Sequence, residues 1–425
     1  MDRTALQAMQ LEKLNALLSE ARARNPLYAH KLQAAPASLE SLEQLATLPA
    51  TTKEELQPVG AGDRFACNLT YPIGRYVRYH QTSGTRGRPM AVLDTADDWR
   101  WWLDCWQYVL DAAGFAPAED AKAHAVNQRA MLAFSFGPFI GFWSAFDALA
   151  ARGVMVIPGG GMNTRARLDL IEKAAPTSLF CTPNYALHLA EAAANEGVRL
   201  AELPVETIVV AGEPGGSVPA VRERIESAFN ARVADHAGAS EVGAWGYGYS
   251  GDGGAEGTGL HIIESEFLAE FISVDTGRPA TEGELSHLLL TTLGRRGSPV
   301  IRYRTGDLVR PRWQNAGGGD NSVFLEGGVL GRADDMMVIR GVNIFPSAVE
   351  QVLRGFPEVV DFRLTARKRG EMDELVIEVE DNLGDPGRIA DELQLRLGLR
   401  VDVRLAPKMS LPRTEGKSRR FQDLR

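Results

Sequence analysis

The sequence "ETIVVAGEP" at residues 206–214, followed by "VPAVRERIESAFN" at 218–230, has the pattern of a buried strand, a turn and a helix. Two units of the same kind precede it, "GVMVIPGGGMNTRARLDLIEKA" at 153–174 and "SLFCTPNYALHLAEAAANEG" at 178–197. Buried strands that alternate with helices predict a parallel α/β sheet. In such sheets, ligands bind beyond the carboxyl ends of the strands.

The chain of 425 residues is longer than one hydrophobic core usually serves, which predicts two domains. After Asp334 the pattern changes to strand, helix, strand, strand, helix, strand, an order typical of a small ferredoxin-like α+β domain. We therefore predict a large multi-layer α/β domain over residues 1–333 and a small, mobile α+β domain over 334–425.

The composition is that of a globular protein, with 44% hydrophobic and 24% charged residues. A net charge of -9 without a long basic run disfavours nucleic acid as a partner. The three cysteines are widely spaced and suggest neither a disulfide framework nor a zinc site. No signal peptide and no apolar stretch of membrane-spanning length is evident. We expect a cytoplasmic protein without a membrane partner.

The sequence "YHQTSGTRGRPMAV" at residues 79–92 predicts a polar, cationic loop between two apolar runs. Glycines let the backbone approach a ligand, and successive N–H groups can form a site for an anion. Arginine adds donors that suit phosphate. The loop is not a Walker A sequence, and alone it is also compatible with a simple turn.

Four further stretches give the loop a context: "DHAGASEVG" (235–243), "YRTGDLV" (303–309), "GRADDMMVIRGVNIFPSAVE" (331–350) and "LPRTEGKSRR" (411–420). In this order and spacing, the five motifs resemble those of the adenylate-forming superfamily of acyl- and aryl-CoA ligases, and within it the phenylacetate-CoA ligase-like enzymes. The resemblance implies a two-step reaction. A carboxylate attacks the α-phosphate of ATP to give acyl-AMP and pyrophosphate, and the thiol of coenzyme A then displaces AMP after the small domain has rotated.

The resemblance also implies residue roles. The loop residues Thr82, Ser83, Gly84, Thr85, Gly87 and Arg88 would hold the ATP phosphates, and Arg86 replaces the threonine that is usual in the family. The other residues assigned to ATP and AMP are Gly212, Glu213, Pro214, Ala237, Gly238, Ser240, Asp307 and Arg332. Within this set, Asp307 and Arg332 would contact the ribose, and Ser240 would lie near the α-phosphate.

Two catalytic residues follow from the same comparison. Glu241 would bind Mg²⁺ together with the ATP phosphates, since Mg²⁺ takes one or two carboxylates plus substrate oxygens. Lys417 would stabilise the charge that builds up during adenylation. Asp334 would be the hinge, and Arg340 and Gly341 would approach coenzyme A in the second step.

The acid pocket is assigned to Phe134, Phe136, Gly137, Trp245 and Tyr247, which suit a small aromatic acid. A run of aromatic residues of this kind can equally belong to the core. The tryptophan-rich segment 97–110 predicts a helix that contributes to the core and to the surface of a homodimer.

One departure from the family motif concerns Ala237, where a tyrosine usually stacks on adenine. We expect weak binding of ATP unless His236 or Tyr247 takes that role. Two alternatives to a coenzyme A ligase stay open at this point. One is an enzyme that loads the acyl group on a carrier protein, and the other is a relative without activity that binds an aromatic acid.

Overall fold

The structure, a computed structural model, describes most of the chain. The described residues are 2–58, 64–82, 89–116, 128–135, 137–248, 258–313, 323–333, 337–339, 342–344, 346–369, 372–397, 401–411 and 420–425.

The helices of the larger unit are α1 (Arg3–Arg24), α2 (Pro26–Lys31), α3 (Lys53–Leu56), α4 (Ala96–Ala112), α5 (Ile140–Ala151), α6 (Thr164–Ala174), α7 (Pro183–Asn195) and α8 (Pro219–Phe229). Its strands are β1 (Tyr76–Gln81), β2 (Ala91–Thr95), β3 (Arg129–Leu132), β4 (Met155–Pro158), β5 (Ser178–Cys181), β6 (Thr207–Ala211), β7 (Arg232–Ala239), β8 (Gly243–Gly248), β9 (Gly259–Ile262), β10 (Phe267–Ser273), β11 (Ser286–Thr292), β12 (Tyr303–Val309), β13 (Pro311–Trp313), β14 (Val323–Glu326) and β15 (Gly331–Arg332).

Among the described residues, the main sheet has nine strands in the order β13-β14-β9-β8-β7-β6-β5-β3-β4. The five strands from β4 to β7 run parallel, as the alternating pattern predicts. The strand at 155–158, which the sequence suggested was buried, is instead the edge strand, and Met155 is 59% exposed. An edge strand has only one neighbour to cover it, so an apolar run alone does not distinguish it from a central strand.

Helices cover both faces of this sheet. Successive side chains of a strand point to opposite faces. In β3, Ala130 and Leu132 accordingly join the core formed with α4 and α5, while Met131 joins the core formed with α6, α7 and α8. Proline at the first position starts α7 and α8, where its missing N–H costs no hydrogen bond. The larger unit is therefore layered, as predicted.

The tryptophan-rich helix α4 lies in the core. Trp99, Trp106 and Leu110 are all buried, at 6%, 2% and 0% exposure. Thr95 and Asp98 form a capping box that fixes its start. The predicted contribution of this helix to the core is confirmed, and its contribution to a dimer surface stays a prediction.

A separate antiparallel sheet has the order β10-β11-β12-β15. Helix α1 packs on it through a core that includes Leu14, Leu18, Leu293 and Ile301. Strand β12 carries the "YRTGDLV" motif and so joins this sheet to the site described below.

The small unit contains β16 (Met337–Ile339), β17 (Val342–Ile344), α9 (Pro346–Arg354), β18 (Val359–Arg369), β19 (Met372–Asp381), α10 (Pro386–Leu397), β20 (Asp402–Leu405) and β21 (Phe421–Leu424). It has its own core, in which Val349, Leu353, Ile377 and Leu393 are buried. The α+β class is as predicted.

The strand pairing of the small unit differs from the expectation in one respect. The strand predicted first, β16, pairs with β17 in a hairpin. The sheet order is β20-β19-β18-β21, so the last residues of the chain supply the strand parallel to β18. The sequence predicted four strands here; β17 and β21 were missed, and β16 pairs with β17 instead of joining the sheet of β18 to β21.

Within the part of the chain that the structure describes, we find no helix that is long and apolar enough to cross a membrane.

Candidate active site

Three of the predicted site segments lie at one edge of the main sheet. Phe134 follows the end of β3, the segment Gly212–Pro214 follows β6, and Ser240 follows β7. The strands concerned are parallel, so their carboxyl ends meet at this edge. The structure thus brings these segments together where an α/β sheet binds its ligand.

The turn that contains Gly212, Glu213 and Pro214 is closely packed. Gly212 has a φ of +91°, a conformation that favours glycine. A Cβ placed on Gly216 would lie 2.4 Å from Cγ of Asp235, so only glycine fits against β7. Glu213 accepts a hydrogen bond of 3.1 Å at Oε1 from the backbone N–H of Asn184. The turn is therefore held in a fixed position next to β7.

Glu241 lies between β7 and β8 and is 8% exposed. The Tyr303 hydroxyl donates a 2.8 Å hydrogen bond to Glu241 Oε1. Burial, and the negative charge of Glu241, raise the pKa of Tyr303, so the phenol stays protonated and remains a donor. The ammonium of Lys53 lies 3.6 Å from the same carboxylate oxygen.

The backbone at Ser240 is anchored by a buried ion pair. Arg295 and Asp94 are both 0% exposed, and Arg295 Nε donates to Asp94 Oδ1 at 2.8 Å. Arg295 Nη1 also donates to the carbonyl oxygen of Ser240 at 3.2 Å. A buried pair of this kind contributes to conformational specificity more than to stability. Here it connects β2 to the turn that carries Glu241.

Asp307 on β12 pairs across the sheet with Arg332 on β15. Arg332 Nη1 donates to Asp307 Oδ1 at 2.9 Å and to the carbonyl oxygen of Thr305 at 2.7 Å. Burial raises the pKa of Asp307, and the positive charge of Arg332 opposes that shift. A carboxylate with two oxygens, braced by a guanidinium, is well suited to accept hydrogen bonds from a diol.

His236 and Ala237 lie on opposite faces of β7, because successive side chains of a strand alternate. Ala237 is opposite Gly246 on β8, and His236 is opposite Tyr247. His236 and Tyr247 therefore lie on one face of the sheet, and Ala237 lies on the other. This arrangement disfavours both side chains as replacements for the aromatic residue missing at Ala237, and the expectation stays a prediction.

The imidazole of His236 is buried, and burial lowers its pKa to about 4. Its Nδ1 lies 2.9 Å from the carbonyl oxygen of Gly246. A carbonyl can only accept, so Nδ1 carries the proton, and Nε2 of the neutral ring is an acceptor. A Cβ placed on Gly238 would lie 3.3 Å from this Nε2, and Gly238 is exposed. The acceptor thus lies beside the open end of the strand.

This shifted pKa predicts a loss of stability in mild acid. The unfolded chain binds a proton at His236 below a pKa of about 6.5, whereas the folded chain does so only near 4, so stability falls as pH falls through that window. We expect the step from pH 7.5 to pH 5 to cost about 2 kcal/mol at this residue. His236→Asn should remove that part of the pH dependence in urea unfolding, and the same substitution at the exposed His30 should not. An equal pH dependence in wild type and His236→Asn would contradict the assignment.

Aromatic rings form a continuous layer on the His236 face of the sheet. The rings of Tyr247 and His261 stack with centroids 5.6 Å apart. From α4, Trp106 lies 4.4 Å from His236, and Tyr108 stacks on Tyr247 at 6.3 Å. The layer was only partly anticipated, since Tyr247 was assigned to the acid pocket but the residues of α4 were not.

The other residues assigned to the acid pocket differ in exposure. Trp245 is 1% exposed and packs in the main core, whereas Phe134 is only partly buried against it. Gly137 has a φ of +115° and its carbonyl oxygen accepts a hydrogen bond from Trp143 Nε1 at 2.8 Å. Trp245 therefore belongs to the core, and Phe134 lies nearer the surface.

Thr82 closes the base of the predicted phosphate loop. Its N–H donates to the carbonyl oxygen of Met90, and its Oγ1 accepts from the N–H of Met90, both at 3.0 Å. The remaining loop residues lie outside the described residues, as do several other assigned positions. These positions are Ser83, Gly84, Thr85, Arg86, Gly87, Arg88, Phe136, Asp334, Arg340, Gly341 and Lys417.

Sequence reasoning missed Lys53. Thr52 and Glu55 form a capping box, which is visible in "TTKEEL" and places Lys53 at the first turn of α3. What the sequence does not show is the bridge between Thr51 and Tyr303, which brings α3 to the site. Arg295 and Asp94 gave no signal, because they are 201 residues apart in the chain.

The comparisons with known proteins agree with this geometry. Residues 341–425 match the family described as AMP-binding enzyme C-terminal domain. The phenylacetate-coenzyme A ligase of Thermus thermophilus is 33% identical over 100% of this chain and 97% of its own length. The chain belongs to the phenylacetate-coenzyme A ligase family. The enzyme of the same name from Escherichia coli is 32% identical over 99% of this chain and 95% of its own.

Members of this adenylate-forming family are acid–thiol ligases. The chain is accordingly an ATP-dependent ligase that activates a carboxylic acid as acyl-AMP and transfers the acyl group to coenzyme A.

A solved structure supports the fold. 2-Hydroxyisobutyryl-CoA ligase in the postadenylation state, with 2-HIB-AMP, gives a TM-score of 0.90 at 26% identity, covering 100% of this chain and 91% of that one. The same ligase in the thioesterification state, with coenzyme A, gives a TM-score of 0.72. Since the sequence compared is the same, the difference reflects the arrangement of the two units. This phenylacetate-CoA ligase-like chain superposes more closely on the postadenylation state than on the thioesterification state.

Proposed function

We propose that the acid activated by this ligase is a small aromatic acid. The observation that carries the proposal is the layer of rings formed by Trp106, Tyr108, His236, Tyr247 and His261 between α4 and the main sheet. Aromatic rings prefer offset or tilted contacts with other rings, which contribute beyond the apolar area that they bury. Trp106, His236 and His261 are buried, and the more exposed rings of Tyr108 and Tyr247 would offer such contacts to an aryl group but not to an alkyl chain.

The two faces of β7 separate the two substrates in this proposal. The acid would occupy the His236 face, and the adenine base would lie on the Ala237 face, where Gly246 leaves space opposite. The acid carboxylate would point to the edge of the sheet where Ser240 and Glu241 lie. The ribose hydroxyls would donate to Asp307, which Arg332 holds in place.

Mg²⁺ would enter with ATP, and the residues present fit it. Glu241 offers one carboxylate, positioned by Tyr303 at the edge of the sheet that faces the nucleotide. Mg²⁺ usually keeps several waters and uses one or two carboxylates together with substrate phosphates, so a cage of protein ligands is not needed. When bound, the ion neutralises phosphate charge. Lys53, next to Glu241, adds a further positive charge on the same side.

In this proposal the acyl acceptor is free coenzyme A. The small domain from Asp334 onward moves between the two steps. Its separate core supports movement as a unit. Lys417 would serve the first step, and Arg340 with Gly341 the second. Consumption of coenzyme A in the absence of any partner protein would distinguish this reaction from the loading of a carrier protein.

The test is a pyrophosphate-exchange screen over benzoates, phenylacetates, hydroxybenzoates, aminobenzoates and aliphatic acids. We expect an aryl acid to give the highest kcat/KM, because its ring would contact the aromatic side chains of the proposed pocket. A clear preference for medium-chain aliphatic acids would contradict the proposal. Exchange with none of the acids, by folded protein that binds them, would favour a relative without activity.

A further inference from the structure

The small unit contacts the larger unit through helix α9. The residues of α9 lie against α8 and β15, and a cavity of about 350 Å³ between the units is lined by residues of both. These contacts belong to the postadenylation arrangement, because the thioesterification arrangement fits this chain less well. Any side chain that stabilises this interface selectively therefore favours the arrangement in which acyl-AMP is held, relative to the one in which coenzyme A reacts.

Arg354, the last residue of α9, connects the two units directly. It is only 9% exposed, and its Nη2 donates a hydrogen bond to Oδ1 of Asn184, near the start of α7. The backbone N–H of Asn184 in turn donates to Glu213 in the turn assigned to the nucleotide. Arg354, Asn184 and Glu213 thus form a short chain of contacts from the small unit to the site.

The guanidinium of Arg354 is buried at the interface, where Arg224 of the larger unit also opposes its charge. Burial, together with the nearby charge of Arg420, lowers the pKa of Arg354 to about 10, while Glu350 and Glu213 favour the charged form. Glu350 precedes it by one helical turn and rotates with it, whereas Glu213 and Asn184 belong to the larger unit. A buried charge needs partners, and here part of the set lies across the interface.

We propose that Arg354 is a positioning residue for acyl-AMP formation, which holds the small domain in the arrangement that serves the first half-reaction. It does not touch the reacting atoms. It acts by docking α9 against Asn184 and the Glu213 turn, and so raises the fraction of molecules in which the first step can occur. The inference uses the two-step cycle of the ligase and does not depend on which acid is activated.

The test separates the two half-reactions in Arg354→Ala. The first is measured as pyrophosphate exchange with phenylacetate, and the second as thioester formation from supplied phenylacetyl-AMP and coenzyme A. If another acid gives faster exchange in wild type, that acid and its acyl-AMP are used. We expect kcat of exchange to fall about tenfold, the factor that 1.4 kcal/mol of lost hydrogen bonding gives, with KM for the acid unchanged. Thioester formation should stay at the wild-type rate or rise.

Three further variants make the result specific. Asn184→Ala should reproduce the pattern, and the double variant should lose no more than either single one, since the two residues form one contact. Arg354→Lys keeps the charge and should recover part of the exchange rate. Arg363→Ala removes an ion pair with Glu378 that lies within the small sheet, at 2.6 Å, and should leave both half-reactions unchanged.

Equal losses in both half-reactions of Arg354→Ala, or no loss in either, would overturn the inference. A general folding defect would appear as equal loss, and the melting temperature would reveal it independently. Failure of the proposed aromatic specificity is distinguishable, because it changes which acid wild type prefers and leaves the ratio of the half-reactions in the variant unaffected.

Discussion

Lys417→Ala should lower the rate of acyl-AMP formation by about 10²–10³-fold, the effect of removing one group that stabilises charge in a transition state. Negative charge develops between the α-phosphate and the attacking carboxylate, and an ammonium placed there stabilises it. Thioester formation from supplied acyl-AMP should remain at the wild-type rate, because the lysine belongs to the domain that has rotated away. Both rates are measured as for Arg354→Ala, by pyrophosphate exchange and by thioester formation from supplied acyl-AMP.

Arg425 provides a matched control for Lys417, since it is a cation near the end of the same domain whose ion pairs with Asp373 and Asp423 lie within the small unit. Arg425→Ala should retain both half-reactions. If Lys417→Ala instead reduced both half-reactions equally while the protein stayed folded, the lysine would not be the catalytic residue of the first step.

Glu241→Gln should lower acyl-AMP formation by at least about 10²-fold, since removing a carboxylate from a metal site forfeits several kcal/mol of charge stabilisation. Glutamine is nearly isosteric and can still accept the hydrogen bond from Tyr303, so the fold should be retained. The concentration of Mg²⁺ needed for half-maximal exchange should rise, which a purely structural glutamate would not cause. The measurement is exchange rate against Mg²⁺ at fixed ATP.

Tyr303→Phe distinguishes the two roles of this pair. It removes the hydroxyl that positions Glu241 but leaves the carboxylate. The rate of acyl-AMP formation should therefore fall less in Tyr303→Phe than in Glu241→Gln. A larger loss in Tyr303→Phe than in Glu241→Gln would mean that the tyrosine, and not the carboxylate, makes the main contribution.

The sequence predicted the parallel part of the fold well because the signals there are local. The predicted strands β4, β5 and β6 are short apolar runs, and each of the helices α6, α7 and α8 begins with a recognisable residue such as Asn163, Thr182 or Pro219. The strands β3 and β7 were not among those predicted, and β7 contains Arg232, Asp235 and His236. Neither the edge position of β4 nor the pairing of β16 with β17 has a local signal, since both depend on which strands become neighbours.

The same distinction applies to the site. Glu241 and Asp307 lie within short motifs and were found from them, whereas Lys53 and Arg295 reach the site only through contacts with residues far away in the chain. The roles of His236 and Tyr247 could not be separated from that of Ala237 by position in the sequence alone. Strand alternation separates them, and the pairing of β7 with β8 is what the structure supplies.

The alternation along β7 has a consequence for how such a ligase can change its substrate. Neighbouring codons, those for His236 and Ala237, specify side chains on opposite faces of the strand, which we propose belong to different binding sites. A point substitution at one codon can alter the choice of acid while the nucleotide site keeps its shape, and the reverse holds at the other. Insertion or deletion of a single codon within the strand would instead exchange the two faces and damage both sites together. Divergence among acid specificities is therefore expected to proceed through substitutions in this strand and not through changes in its length.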